Sequence, residues 1–500
     1  MSRGIRIDTP YLIRVDLTQG ELSTDGGPPS PLTEEVRLPG QRSRGTLRFA
    51  SGWLVVDRSR STQGDLFLRY HAGTVEISDS LSLLCPQPTA DDVAALTLLS
   101  SCLGLRPGPD RTHLRDIRRL PCLSVARIAA DGSSVVRQDL SILTADGRKR
   151  GSSRTVGVDE LLRRLLADIP SPTLVAASGG LASRALRTLL GADALVGSAQ
   201  LTGPVSIRIP EPTGVVPQPI PVYFDQLRTT RVWPPLGNRH LGTAAILSVS
   251  SLTGANAVVA GHHLRLLLGT GPEECQGVAG PLTRLTSERL GTRTEWRLPW
   301  RRREHNHDHG SSPAERGQLP PWLSDDGRRE IHTLNLANRA AWADWFRDVP
   351  PRTARVLWAL TDPALAWLWD LSHEMAVPLH LPGGTPEALS ALLHLPVRAR
   401  GQVVGGRFLD APILRRLAPD ALYYADGAHR HRIAAATWVT QAAQTIREVA
   451  HDGSFARLGL IKPAEVTRIL DNPFLRVEYA PALRQMTEAD QWLTNLGGRR

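Results

Sequence analysis

The residues with the clearest chemical potential lie between 178 and 183, where Ser178, Gly179, Gly180 and Ser183 follow a short apolar run. Two glycines let the backbone turn closely, and the residues after them carry helical spacing. Free backbone N–H groups and the positive end of the helix dipole then converge on one point, where the two hydroxyls add donors. That is a cradle for a phosphate or a similar anion, although a strand, a Gly-Gly turn and a helix also make an ordinary βα unit. A second turn of this kind follows Ala257-Val258-Val259-Ala260 at Gly261-His262-His263. Its histidines read first as residues packed at a strand end and second as acid/base groups. His305, His307 and His309 alternate as metal ligands on one strand face would. Arg301, Arg302 and Arg303 beside them repel a cation, so a solvated loop is the stronger reading.

The elements that must hold these groups follow from the pattern. Leu174 to Ala177 reads as a buried strand and Leu181 to Leu190 as the helix behind the Gly-Gly turn. Leu47 to Asp57, Leu66 to His71 and Thr74 to Ser78 are β-rich runs, with a hairpin turn at His71-Ala72-Gly73. A helix is expected over Asp91 to Leu99, then strands over Leu123 to Ile128 and Val135 to Leu140 around the turn Asp131-Gly132. Val158 to Asp168 is amphipathic, and Ala244 to Ala260 holds a helical piece and then a strand. From Glu330 onward the chain is helical, with Trp342, Trp345, Trp358, Trp367 and Trp369 spaced as a core face. The polar stretch 144–157 reads as a linker between two domains, 1–143 and 158–500, the second with a mobile loop near 300–320.

Composition narrows the class. The 500 residues are 41% hydrophobic and 22% charged, in proportions of a globular protein large enough for two cores. No apolar run of about 18 residues suggests a membrane span, and Met-Ser-Arg-Gly-Ile-Arg is not a secretory signal, so a cytoplasmic protein is expected. The net charge of +10 rests on scattered arginines without interleaved aromatics, which favours an anionic small molecule or acidic peptide over nucleic acid. Cys85, Cys102, Cys122 and Cys275 have no metal or redox spacing and read as buried thiols.

Five segments, in order, resemble the asparagine synthetase family, including its β-lactam synthetase and lasso-peptide cyclase branches. Leu174 to Ser183 is similar to the family's pyrophosphate loop, Ser-Gly-Gly-x-Asp-Ser, and Thr112 to Pro121 to the stretch closing its N-terminal domain. Trp53 to Leu81 resembles its sandwich strands, Arg407 to Pro412 its Pro-Phe-Leu-Asp element, and Ala456 to Val466 a C-terminal helical segment. The resemblance implies an α/β protein, α+β overall: an N-terminal glutaminase-like sandwich, then an adenine-nucleotide α-hydrolase-like domain with a parallel sheet and many helices.

The departures from the family pattern bear on chemistry. Glutamine-using members expose a Cys after Met removal, whereas Ser2 stands here, so the sandwich lacks its nucleophile. Ala182 replaces the loop Asp, and Arg265 and Leu266 stand where the family has the Asp-Glu that holds Mg²⁺ on the pyrophosphate. The family's late Lys has no counterpart after Asp410, Arg430 and Arg432 being the nearest cations. By motif position Ser178, Gly179, Gly180 and Ser183 would bind nucleotide, Arg184, Arg265 and Arg430 would neutralise phosphate, and His262 and Asp410 would face substrate. The resemblance thus implies a member of amide or macrolactam (lasso-type) peptide maturation. Its adenylating centre is degenerate, Mg²⁺ is disfavoured, and it serves a precursor peptide or an intact homologue. The alternative is an ATP-dependent amide- or isopeptide-forming ligase whose arginines replace the metal. A free-standing asparagine synthetase is the third and weakest reading.

Overall fold

The computed structural model describes residues 10–24, 27–32, 35–38, 45–59, 61, 63–140, 158–176, 181–191, 194–200, 205–208, 219–222, 232–234, 241–262, 264, 319–349, 351–394, 402–404, 407–409 and 435–497.

Short strands with one buried face come first: β1 (Leu12–Asp16), β2 (Glu21–Thr24), β3 (Ser30–Pro31), β4 (Val36–Arg37), β5 (Thr46–Ala50), β6 (Trp53–Asp57), β7 (Leu66–His71), β8 (Thr74–Ser78), β9 (Ile117–Leu120), β10 (Ser124–Ala129) and β11 (Ser134–Gln138). They form two antiparallel sheets, ordered β3-β2-β1-β8-β7-β9 and β11-β10-β6-β5-β4. Alternation explains how the sheets stack. Ile13, Val15, Leu66, Leu68, Val75 and Ile77 of the first sheet meet Leu47, Leu54, Val56, Ala126 and Ile128 of the second in one core. Leu12 and Phe67, pointing to the other side of the first sheet, enter a different core shared with helices. The β10–β11 turn uses Gly132 at φ +79°, a conformation that costs a residue without Cβ little.

Helices α1 (Leu81–Leu84) and α2 (Ala95–Cys102) cover that other face. The helix expected over Asp91–Leu99 is corrected: Ala90–Asp92 is a 3₁₀ turn, and α2 starts only at Ala95. The intervening Val93 makes a bridge to Leu114, a tertiary pairing that overrides the local pattern.

The second half is built on β12 (Thr173–Ala176), β13 (Leu195–Gln200), β14 (Val205–Arg208), β15 (Pro219–Val222), β16 (Ala257–Ala260) and β17 (Leu379–His380), in the order β15-β14-β13-β12-β16-β17. The four strands β13, β12, β16 and β17 are parallel, whereas β14 and β15 run antiparallel at the edge. Both β12 and β16 are buried along their whole length, as expected of a parallel sheet covered on both faces. Helices α3 (Val158–Ala167) and α4 (Leu181–Leu190) supply Leu162, Leu166 and Leu186 against Val175 and Val259. On the other face, α5 (Leu241–Val249) sets Ala244, Ile246 and Leu247 in the cluster of Leu174, Ala176 and Val258. A two-stranded ribbon pairs β18 (Gln402–Val404) with β19 (Arg407–Leu409).

Further helices are α6 (Asp325–Trp345), α7 (Pro351–Leu360), α8 (Pro363–Glu374), α9 (Pro386–His394), α10 (Ala443–Asp452), α11 (Ser454–Arg457), α12 (Pro463–Asp471) and α13 (Pro473–Gly497). Ser324 caps α6 by accepting the Gly327 N–H, and Asp325 and Asp326 complement the dipole in its first turn. Of the tryptophans expected on a core face, Trp342, Trp367 and Trp369 are buried, while Trp345 and Trp358 pack at the rim of a core.

One hydrophobic cluster draws on both halves of the chain. Leu98, Leu99 and Cys102 of α2 share a cluster with Leu483, Met486 and Ala489 of α13. Polar contacts reinforce this. The Gly108 N–H donates to Asn338 Oδ1 at 3.1 Å, the Trp342 indole N–H donates to the Pro107 carbonyl at 2.8 Å, and the Arg106 guanidinium lies 4.2 Å from the Trp358 ring centroid. Cys102 and Cys122 are buried and Cys85 is half-buried, whereas Cys275 lies outside the described residues. Burial pushes the Cys122 thiol up to about 12, so it is inert at neutral pH.

Candidate functional site

In an open parallel sheet, ligands gather beyond the carboxyl ends of the strands where the strand order reverses. Here the chain leaves β12 for β13 on one side and later returns to β16 on the other, so the reversal lies between β12 and β16. Their register pairs Ala176 with Ala260, which aligns the two carboxyl ends.

Two helix N-termini converge on that edge. The first belongs to α4. A Cβ added to Gly261, just beyond β16, would lie 2.7 Å from the Ala182 Cβ and 3.3 Å from the Ser183 backbone nitrogen. Only a glycine allows this approach of the strand end to the helix start. Ser183, in the same turn, is 3% exposed. The second N-terminus belongs to α5, where the Thr243 hydroxyl is 3.0 Å from His262 Nε2. His262 therefore links the end of β16 to the first turn of α5. The residues so gathered, Ala182, Ser183, Thr243, Gly261 and His262, include no carboxylate. Two dipole ends with no carboxylate among these described residues favour an anion.

The sequence-predicted residues fare differently. Ser183 and His262 reach the same corner, through Gly261. Arg184 occupies the fourth position of α4. Ser178, Gly179, Gly180, Arg265, Arg430 and Asp410 lie outside the described residues, as do His263 and His305, His307 and His309. Thr243 was not anticipated, because the apolar run that marks its helix starts at Ala244; the hydroxyl in the first turn after Gly242 is the only local signal.

A hard divalent cation takes oxygen ligands with carboxylates among them, and the described residues at this corner contribute none. Ser183 and Thr243 offer only hydroxyls. Among the described residues, no group of three or more His, Cys, Asp or Glu is placed to hold a metal ion.

A second concentration of titratable groups lies beneath the sandwich and was not visible in the sequence. His113, buried, has Nε2 2.7 Å from the Val232 carbonyl and its ring 5.2 Å from Trp233. Burial pushes its imidazole down to about 4. Asp370 in α8 is 1% exposed, and burial pushes its carboxyl up to about 7, against the hydrogen bond from Trp233. Both groups are buried against Trp233, and His113 also borders a small cavity there.

No helix among the described residues is long and apolar enough to cross a membrane. No family model matches the chain, and no curated protein matches it.

Proposed function

We propose that the crevice between β12 and β16 is an anion site inherited from a nucleotide-binding fold, in an asparagine-synthetase-like component of amide or macrolactam peptide maturation. Its adenylating centre is degenerate, and the protein acts with a precursor peptide or an active homologue rather than carrying the ligation alone. The observation that carries this reading is the contact of Gly261 with Ala182 and Ser183. It sets the start of the α4 helix against the end of β16 at the reversal of strand order, which supports a phosphate-sized anion there. At that point a methyl group stands where the resembled family has a metal-holding carboxylate.

The second reading, an ATP-dependent amide- or isopeptide-forming ligase in which Arg184, Arg265 and Arg430 take the place of Mg²⁺, draws on the same corner, whose described residues include no carboxylate. Calorimetric titration of ATP into the full chain, with and without Mg²⁺ and in an Arg265→Ala variant, separates the two. The degenerate reading expects binding that is weak or nil and indifferent to Mg²⁺, with no acyl-adenylate formed from precursor peptide. Tight, Mg²⁺-independent binding lost in Arg265→Ala, with turnover of ATP, would replace it by the ligase.

A further inference from the structure

The strongest unused feature is a cavity of ≈ 20 Å³ where the sandwich meets the helices. Apolar groups from three parts of the chain, Phe67 of β7, Trp233, and Pro363 and Ala366 of α8, line it together with Ser101 of α2 and Arg119 of β9. A space of that size exceeds the roughly 10–15 Å³ needed for one water-sized occupant and is too small for a phosphate or a carboxylate with a side chain.

Arg119 is the anomaly at this site. It is 2% exposed, and its Nε donates to Asp65 Oδ2 at 2.7 Å. Its Nη1 and Nη2 are buried without a hydrogen-bond partner. A guanidinium carries five N–H donors, so most of its donor capacity is unused. The charge count sharpens the point. Arg58, fully buried, lies in the field of the same Asp65. It gives its Nη donors to the Leu120, Gln63 and Gly64 carbonyls and to the Ser61 hydroxyl, none of them charged. Two buried cations thus share the buried carboxylate of Asp65, with the partly buried Asp79 adding to the field at Arg58. An uncompensated buried charge is expensive, and an anion beside it removes both the charge and the donor deficit.

The geometry points to a halide site at Arg119: a single monovalent, monatomic anion of the chloride or bromide class, held by the Nη edge of the guanidinium. The apolar walls suit such weakly hydrated ions, which shed water at less cost than fluoride. The site joins β7, β9, α2 and α8, so its occupant fastens the sandwich to the helical half.

The test is thermal unfolding of the full chain in sodium chloride or bromide against sodium gluconate at matched ionic strength, gluconate being too large for the cavity. Chloride and bromide should raise Tm saturably, by about 1–3 °C over gluconate. Ser101→Leu, which fills the space from α2 without touching the arginine, should abolish the increment while circular dichroism stays native. Should that variant misfold, Ala366→Leu fills the space from α8. In bromide-soaked crystals, an anomalous peak should lie within hydrogen-bond reach of Arg119 Nη. Coincident halide and gluconate curves, an increment that survives filling of the cavity, or ordered water in place of the peak would each overturn the site.

Discussion

Trp233 donates its indole N–H to the Asp370 carboxylate, with Nε1 2.5 Å from Oδ2, across a separation of 137 residues. The same oxygen accepts the Leu81 backbone N–H at 3.3 Å. One carboxylate oxygen thereby ties together the start of α1, the segment 232–234 and α8. On its other side Trp233 meets His113, so one indole is flanked by an acid and a base that burial drives in opposite directions.

Asp370 should make the protein less stable as pH rises through the acid range. An unfolded aspartate titrates near 3.9, and the folded group near 7. Between those values the folded chain keeps a proton that the unfolded chain has lost. Its contribution therefore falls as pH climbs toward 7 and stays low above it. Asp370→Asn keeps an acceptor for Trp233 and removes the titration. Urea unfolding should show the variant gaining on the wild type by on the order of 2 kcal/mol between pH 5 and pH 8. A difference that is the same at both pH values would mean that Asp370 does not titrate in this window.

His113 should act with the opposite sign. Its folded value is about 4 and its unfolded value about 6.5, so its contribution is full above pH 6.5 and is lost as pH falls toward 4. The Val232 carbonyl can only accept, so Nε2 carries the proton of the neutral ring. The imidazole resonances of His113 should stay constant from pH 8 to pH 5.5, and His113→Gln should cost about 1–2 kcal/mol at pH 7 and less at pH 5. A resonance that titrates near 6.5 would rule out the buried neutral ring.

The approach of β16 to α4 can be tested by a double-mutant cycle. Gly261→Ala places a methyl 2.7 Å from the Ala182 Cβ and should cost about 1–3 kcal/mol through overpacking. Ala182→Gly opens that space, so the double variant should recover part of the loss, with a coupling of at least about 0.5 kcal/mol. Strict additivity in chemical denaturation would mean that the two residues are not in contact.

Legibility in the sequence followed the range of the forces involved. The hairpin β7–β8 and the pair β12 and α4 are readable, because one-sided burial and turn glycines leave a local pattern. The layered arrangement, antiparallel sheets first and a parallel sheet with many helices later, follows from those elements in order. Where a distant residue decides, the pattern is silent. Val93 leaves the helix expected there because Leu114 pairs with it, and Thr243 matters only through His262. Trp233 and Asp370 give no sign of each other in the linear chain, and the Arg119 donor deficit depends on which neighbours Arg58 and Asp65 have taken. At the crevice, no spacing rule links Ser183, in α4, with His262, just beyond β16.

The packing of α2 on α13 also bears on how the protein is made. Leu98, Leu99 and Cys102 emerge from the ribosome long before Leu483, Met486 and Ala489, the residues that cover them. During all the intervening translation the sandwich can form its inner core, but the apolar face of α2 waits uncovered. Such a surface is open to chaperones and to self-association until the late helix arrives. Chains released before residue 473 should therefore be prone to aggregate although the whole sandwich has been synthesised.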